Sequence, residues 1–211
     1  RIFVLGASSA IGYPYLHNGS FHRWLKYRLM HTFPQKNFEI INLSLTAVNS
    51  NTLYDFSRQL VNYKPDAVLV YEGHNEYYGA LGVASTSNIG RNPLVVRLVI
   101  RLREFRVIQL FTNIYIWVRH FFSSSKVDIR ENLMKRMVAE QNVPYGSGLF
   151  TSGLHQFEVN LHDMLQVFEQ NHVPVFIGTL VSNEKDLPPF ISMQTDSVHA
   201  VAFRSAFHEA V

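Results

Sequence analysis

The chain opens on a strand that runs straight into a glycine. Arg1-Ile2-Phe3-Val4-Leu5 is apolar and rich in β-formers, and Gly6 closes it. A run of that length bounded by glycine predicts a buried strand ending at a tight turn. Ala7-Ser8-Ser9-Ala10 follows, and then Gly12. A buried parallel strand puts such a small-residue loop at the carboxyl edge of its sheet, where α/β proteins bind ligands. Two chemistries compete for residues 6–12. One is a glycine loop wrapped round a pyrophosphate; the other is a serine displayed as a nucleophile.

The rest of the chain repeats the strand-then-helix rhythm. Residues 21–33 carry helical spacing, with Phe21, Trp24, Leu25, Tyr27, Leu29 and Met30 as the apolar set and Pro34 ending it. Residues 38–43 predict a second strand, followed by a polar loop over 44–51. Ser50 or Asn51 is the expected cap of a helix to about Tyr63, with Leu53, Phe56, Leu60 and Val61 inward. Ala67-Val68-Leu69-Val70-Tyr71 is the clearest parallel strand, stopping at Glu72-Gly73-His74-Asn75-Glu76. Residues 79–92 read as loop. From Pro93, residues 94–122 read as a helix or helix pair whose arginines form a solvated face. A further helix is expected over 129–140. The 3–4 residue spacing of Phe150, Leu154, Phe157, Leu161, Leu165 and Phe168 predicts a long amphipathic helix. Residues 173–180 predict a fourth strand and 200–211 a last helix. Right-handed crossovers turn this order into an α/β fold with a parallel sheet and helices on both faces.

Composition removes several classes. A chain of 211 residues with 47% hydrophobic and 17% charged content builds one domain with a sizeable core. A formal charge of +3 is too small to indicate a nucleic-acid partner. The sequence contains no cysteine, which excludes disulfides, thiolate catalysis and cysteine–zinc sites. The longest uncharged run in the arginine-bearing region, residues 107–118, is twelve residues. A bilayer span needs about 20, so a membrane-surface face is the only membrane reading it leaves. The chain starts inside a strand, on Arg1 rather than Met. It therefore reads as a single domain over 1–211 cut at both ends, and cell compartment is not legible.

The pyrophosphate chemistry meets three obstacles. Residues 6–12 resemble the glycine loop of short-chain dehydrogenases, but Ala10 stands where the middle glycine belongs, and Pro14 falls where the phosphate-binding helix should be running. No acidic residue closes the second strand. No Tyr is followed four residues later by Lys. The serine chemistry gathers support from three loops at one sheet edge, those carrying Ser8, residues 44–50 and Asn75. An attacking hydroxyl with convergent N–H and amide donors is what acyl transfer requires.

Those three blocks resemble the SGNH (GDSL-type) hydrolases, in a bacterial branch with long helical insertions. Gly6-Ala7-Ser8 matches the Gly-Asp-Ser block, residues 42–50 the second block with Ala47 at its glycine, and Gly73-His74-Asn75-Glu76 the Gly-x-Asn-Asp block. The resemblance implies a three-layer α/β/α sandwich of flavodoxin-like SGNH type. It implies Ser8 as nucleophile, with the N–H groups of Ser8 and Ala47 and the Asn75 amide around the oxyanion. Ala47 fits a glycine position if its φ is negative. The implied activity is hydrolysis or transfer at an ester bond of a small-molecule or carbohydrate substrate, without cofactor. Residues 80–143 would be the helical insertion that selects substrate. The family's base is a His three residues after an Asp. Asp196-Ser197-Val198-His199 supplies one such pair, only sixteen residues after Leu180, and a pair beyond Val211 is the favoured expectation. Two other classes stay open: an SGNH-like module that binds without catalysing, and a nicotinamide oxidoreductase. His155 and His162 share a helical face but lack a third ligand nearby in sequence, so they read as ordinary histidines. Tyr13, Tyr15, Tyr77 and Tyr78 read as pocket lining or packing.

Overall fold

The computed structural model describes residues 1–85, 93–122, 142–182, 201–202 and 205–206. The expected helix over 129–140, Asp196 and His199, and most of the terminal helix lie outside the described residues. Within them the fold is α/β, built on a four-stranded sheet whose neighbouring strands all run parallel. The strands are β1 (Ile2–Gly6), β2 (Ile40–Asn42), β3 (Ala67–Tyr71) and β4 (Val175–Ile177), in the order β2-β1-β3-β4. The helices are α1 (Ser8–Ile11), α2 (Leu16–Gly19), α3 (Phe21–Thr32), α4 (Ser50–Leu60), α5 (Pro93–Arg103), α6 (Arg106–Phe122) and α7 (Gly148–Gln170).

Strand order fixes where a site can form. The chain steps from β1 to β2 on one side, then returns to pair β3 on the other. The point where the order reverses lies between β1 and β3, and their carboxyl ends are level, Gly6 opposite Tyr71. Connections leaving such a point in opposite directions open a crevice. Gly6 is required there by close approach: a Cβ on it would come within 2.4 Å of the Tyr71 carbonyl oxygen and 2.5 Å of the Ala10 Cβ.

The core explains the sheet. Phe3 and Leu5 of β1 lie opposite Val68 and Val70 of β3, and all four pack with Leu53 and Leu60 of α4 and Met164 and Phe168 of α7. Burying a large apolar side chain is worth about 1.5–3 kcal/mol, so this cluster clamps α4 and α7 onto one sheet face. Tyr71 turns the other way and meets Phe21 of α3, ring centroids 6.0 Å apart.

Several expectations need correction. Residues 8–11 wind into a helical turn rather than staying a loop, closed by Gly12 at φ 91°. Helix α3 forms where expected, yet no residue of it is fully buried, and Trp24, Tyr27 and Met30 are exposed. The inward side is narrower than the apolar spacing implied and runs through Phe21, Leu25 and Leu29. Helix α4 is preceded by Asn49 as cap, not Ser50 or Asn51, whose side chains are drawn into the interior. In α7 the deepest residues are Gly153, Gln156, Asn160, Met164 and Phe168, whereas Leu154 is 52% exposed. Among the described residues, no helix is long and apolar enough to cross a membrane.

Candidate active site

Three loops meet at the carboxyl edge of β1, β2 and β3. After β1, Ala7 is extended and Ser8 begins α1. Ser8 is half-buried and Ser9 exposed. After β2, Asn42 ties the first two loops together: its amide donates to the Ala10 carbonyl at 3.0 Å and its Oδ1 accepts from the Ser44 N–H at 2.9 Å. The Leu45 N–H then donates to the Gly6 carbonyl at 3.3 Å. After β3, the third loop closes on the second. The Ala80 N–H donates to the Ala47 carbonyl at 3.0 Å, and the Asn49 amide to the Glu76 carbonyl at 3.4 Å. Ser9 Oγ and His74 Nδ1, 3.3 Å apart, join the first loop to the third.

The sequence-predicted site residues sit on these joined loops in different states. Asn75 is buried, its carbonyl accepts from the Gly79 N–H, and its side-chain Nδ2 has no hydrogen-bond partner. A buried amide donor without an acceptor costs roughly 1–3 kcal/mol, and Ser44 Oγ and Asn49 Oδ1 of the second loop are likewise buried without a partner. The negative φ that the fit of Ala47 to a glycine position requires is not met: Ala47 takes φ 58°. That is the left-handed region, which glycine enters freely and alanine only at about 1–2 kcal/mol. Ser8 stands at the first position of a helical turn, where the backbone N–H has no acceptor within the helix. His74 bonds Ser9, not Ser8, and a second imidazole, that of His22, bonds the Asn42 amide at 2.9 Å and the Ser20 hydroxyl.

Behind the loops lies a buried polar network that the sequence did not reveal. Glu76 accepts from the Ser50 N–H at 3.1 Å, the Ser50 hydroxyl at 2.7 Å and the Gln156 amide at 2.9 Å. The Asn160 amide donates to Ser50 Oγ at 2.9 Å and Asn51 Oδ1 at 2.8 Å. Arg97 donates to Asn160 Oδ1 at 3.2 Å, pairs with Asp163 at 2.6 Å and lies 4.6 Å over the Tyr54 ring. Arg97 is therefore an inward anchor for α5, which corrects its assignment to a solvated face. The one sequence signal was the spacing: Gln156 and Asn160 fall four apart on the stripe that also carries Met164 and Phe168.

Two carboxylates share this region. Burial raises the Glu76 pKa above its ordinary value, against the hydrogen bonds from Ser50 and Gln156. Burial, reinforced by Glu76, pushes Glu72 up to about 8. Both Glu72 oxygens are buried without a well-formed hydrogen bond; the nearby Gly73 N–H lowers the value only in part. Burial, with Glu76 beside it, thus favours the protonated form of Glu72 at neutral pH.

No family model, curated protein or solved structure matches the chain. What the site can do rests on its own chemistry. The loops that meet at this edge carry two serine hydroxyls, a histidine and a buried amide donor without a partner. Beside them opens a cavity of about 530 Å³ lined by Ser9, Phe21, Tyr71, Ile177 and Val181 among others. Of the tyrosines, Tyr77 stacks on Phe150 and donates to its carbonyl at 3.2 Å, so it packs α7 against the third loop. Tyr13 and Tyr15 are exposed. Among the described residues, no three His, Asp or Glu side chains gather as metal ligands would; His162 instead bonds Asp163.

Proposed function

We propose that this chain is a serine hydrolase of SGNH type that cleaves or transfers an acyl group at an ester bond. The observation that carries the reading is the buried, unpartnered Asn75 Nδ2 on a loop joined to those of Ser8 and Ala47. In this reading Ser8 Oγ attacks the ester carbonyl. The oxyanion is held by the Asn75 amide with the N–H groups of Ser8 and Ala47. Collapse of the tetrahedral intermediate expels the alcohol and leaves an acyl-serine, which water or an acceptor hydroxyl resolves. A His–Asp pair takes and returns the proton: Asp196 and His199, or a pair beyond Val211. Ala47 counts against the match at that block, because it holds the family's glycine position at a positive φ that alanine adopts only at a cost. The finer fold reading is the three-layer flavodoxin-like sandwich, supported by the β2-β1-β3-β4 order and by helices meeting Leu5 on one face and Tyr71 on the other.

A second reading has its own observation. Of Ser8 and Ser9, Ser9 is the one bonded to a histidine, so Ser9 would attack and His74 take its proton. Turnover of a short-chain chromogenic acetate separates the two, measured on this chain and on a form extended past Val211. Loss of turnover in Ser8→Ala with retention in Ser9→Ala is expected, and Asn75→Ala should lower kcat about 10²–10³-fold with KM little changed. Loss in Ser9→Ala alone moves the nucleophile. Absence of any turnover that depends on either serine removes the serine-hydrolase reading and favours the binding module.

A further inference from the structure

Helices α5 and α6 divide their work. On α5, Val96 is fully buried, and Arg97 is bound to Asn160 and Asp163 of α7. That side is fixed to the body of the protein. Helix α6 instead leaves its apolar residues in the open. Val107 is 63% exposed, Leu110 56%, Phe111 65%, Ile114 48% and Tyr115 65%. At 100° per residue these five fall in one arc of roughly 140°. Gln109 and Thr112 lie away from that arc, where their side chains donate to the Arg103 and Ile108 carbonyls. Gln109, Thr112 and Asn113 are exposed too, and Ile116 on that side is 47% exposed, so α6 is open around most of its circumference and the five residues form its continuous apolar stripe.

Charge says what the face fits. Arg101, Arg103 and Arg106 are exposed around the joint of the two helices, where Phe105 is also 61% exposed. Glu104 is the one acidic residue in the sequence from Pro93 to Phe122. Apolar and aromatic side chains bordered by arginines match a layer of apolar chains beneath anionic headgroups. A second copy of this face would bring the same three arginines together, with only Glu104 on each side to offset them. At 17 residues α6 is too short to span a bilayer, so it would lie in the plane of the surface.

We propose that α5 and α6 form a docking face for an anionic lipid bilayer, with α6 lying flat in the interface. The proposal is independent of the hydrolase reading. The test is co-sedimentation with vesicles of phosphatidylcholine alone, or with one third phosphatidylglycerol. A Trp24→Phe form leaves Trp117 of α6 as sole fluorescent reporter, since the sequence has two tryptophans. The expected result is binding to the anionic vesicles with a blue-shifted Trp117. Phe111→Asp should weaken it at least about tenfold, and so should raised salt or replacement of Arg101, Arg103 and Arg106 by Gln. Circular dichroism equal to the parent shows that these exposed substitutions leave the fold intact. No binding to anionic vesicles, equal binding to neutral ones, or no effect of Phe111→Asp overturns the proposal. So does a concentration-dependent dimer, in vesicle-free solution, that Phe111→Asp abolishes, since it gives the face to a second copy.

Discussion

Ala47 and Glu72 are the two residues at this edge whose state departs most from the ordinary. Ala47 holds φ 58° between the second and third loops. Ala47→Gly removes the left-handed penalty but adds unfolded-chain entropy, so the expected net stabilisation is up to about 1 kcal/mol. Urea midpoints at constant m measure it. Glu72 makes a pH prediction. Its folded pKa of about 8 lies above the ordinary 4.5. The stability this contributes is fully present below the unfolded pKa and is lost as pH rises through the folded one. Unfolding free energy should therefore fall between about pH 5 and 8, by on the order of 3–5 kcal/mol. Glu72→Gln should flatten that slope and leave the protein more stable at pH 8 than the parent. A parent curve that rises over the same range would contradict the assignment. Neither state was legible in sequence, because φ at Ala47 is set by loop closure onto Ala80 and the Glu72 pKa by burial beside Glu76.

At the scale of elements, α7 explains why the third loop keeps its shape. Gln156 and Asn160 reach Glu76 and Ser50, partners 80 and 110 residues away along the chain. Hydrophobic periodicity finds apolar stripes and passes over polar residues buried by such distant partners, so it turns Leu154 inward and overlooks Gln156. Gly153 belongs to the same contact, since a Cβ there would come within 2.3 Å of the Tyr77 ring. Gln156→Leu takes one donor from Glu76 and should cost about 1–3 kcal/mol of stability. If the network positions Asn75, the variant should also lower kcat for an ester while KM changes little. An unchanged kcat in a folded Gln156→Leu protein would confine the network to stability. Helix α3 and a helical stretch over 94–122 are readable from spacing and proline punctuation, but the break between α5 and α6 and the inward turn of Arg97 are not, the latter because its partners sit on α7.

For the whole molecule, the parallel sheet was legible in the apolar runs of β1 and β3, and the edge on which the loops converge follows from parallel strands ending on one side. Contact among the loops was not legible: it depends on the Asn42, Leu45 and Ala80 bonds that draw them together. The same geometry puts Ser8 and Ser9 side by side, near a histidine that bonds only one of them. The account therefore stands or falls on which hydroxyl is the nucleophile. The most direct measurement is labelling of the protein with a fluorophosphonate, followed by mass spectrometry of the peptide that contains both serines. Stoichiometric phosphonylation of Ser8, abolished in Ser8→Ala and preserved in Ser9→Ala, is the predicted result. Phosphonylation of Ser9, or of neither serine in both the chain and its form extended past Val211, would contradict it.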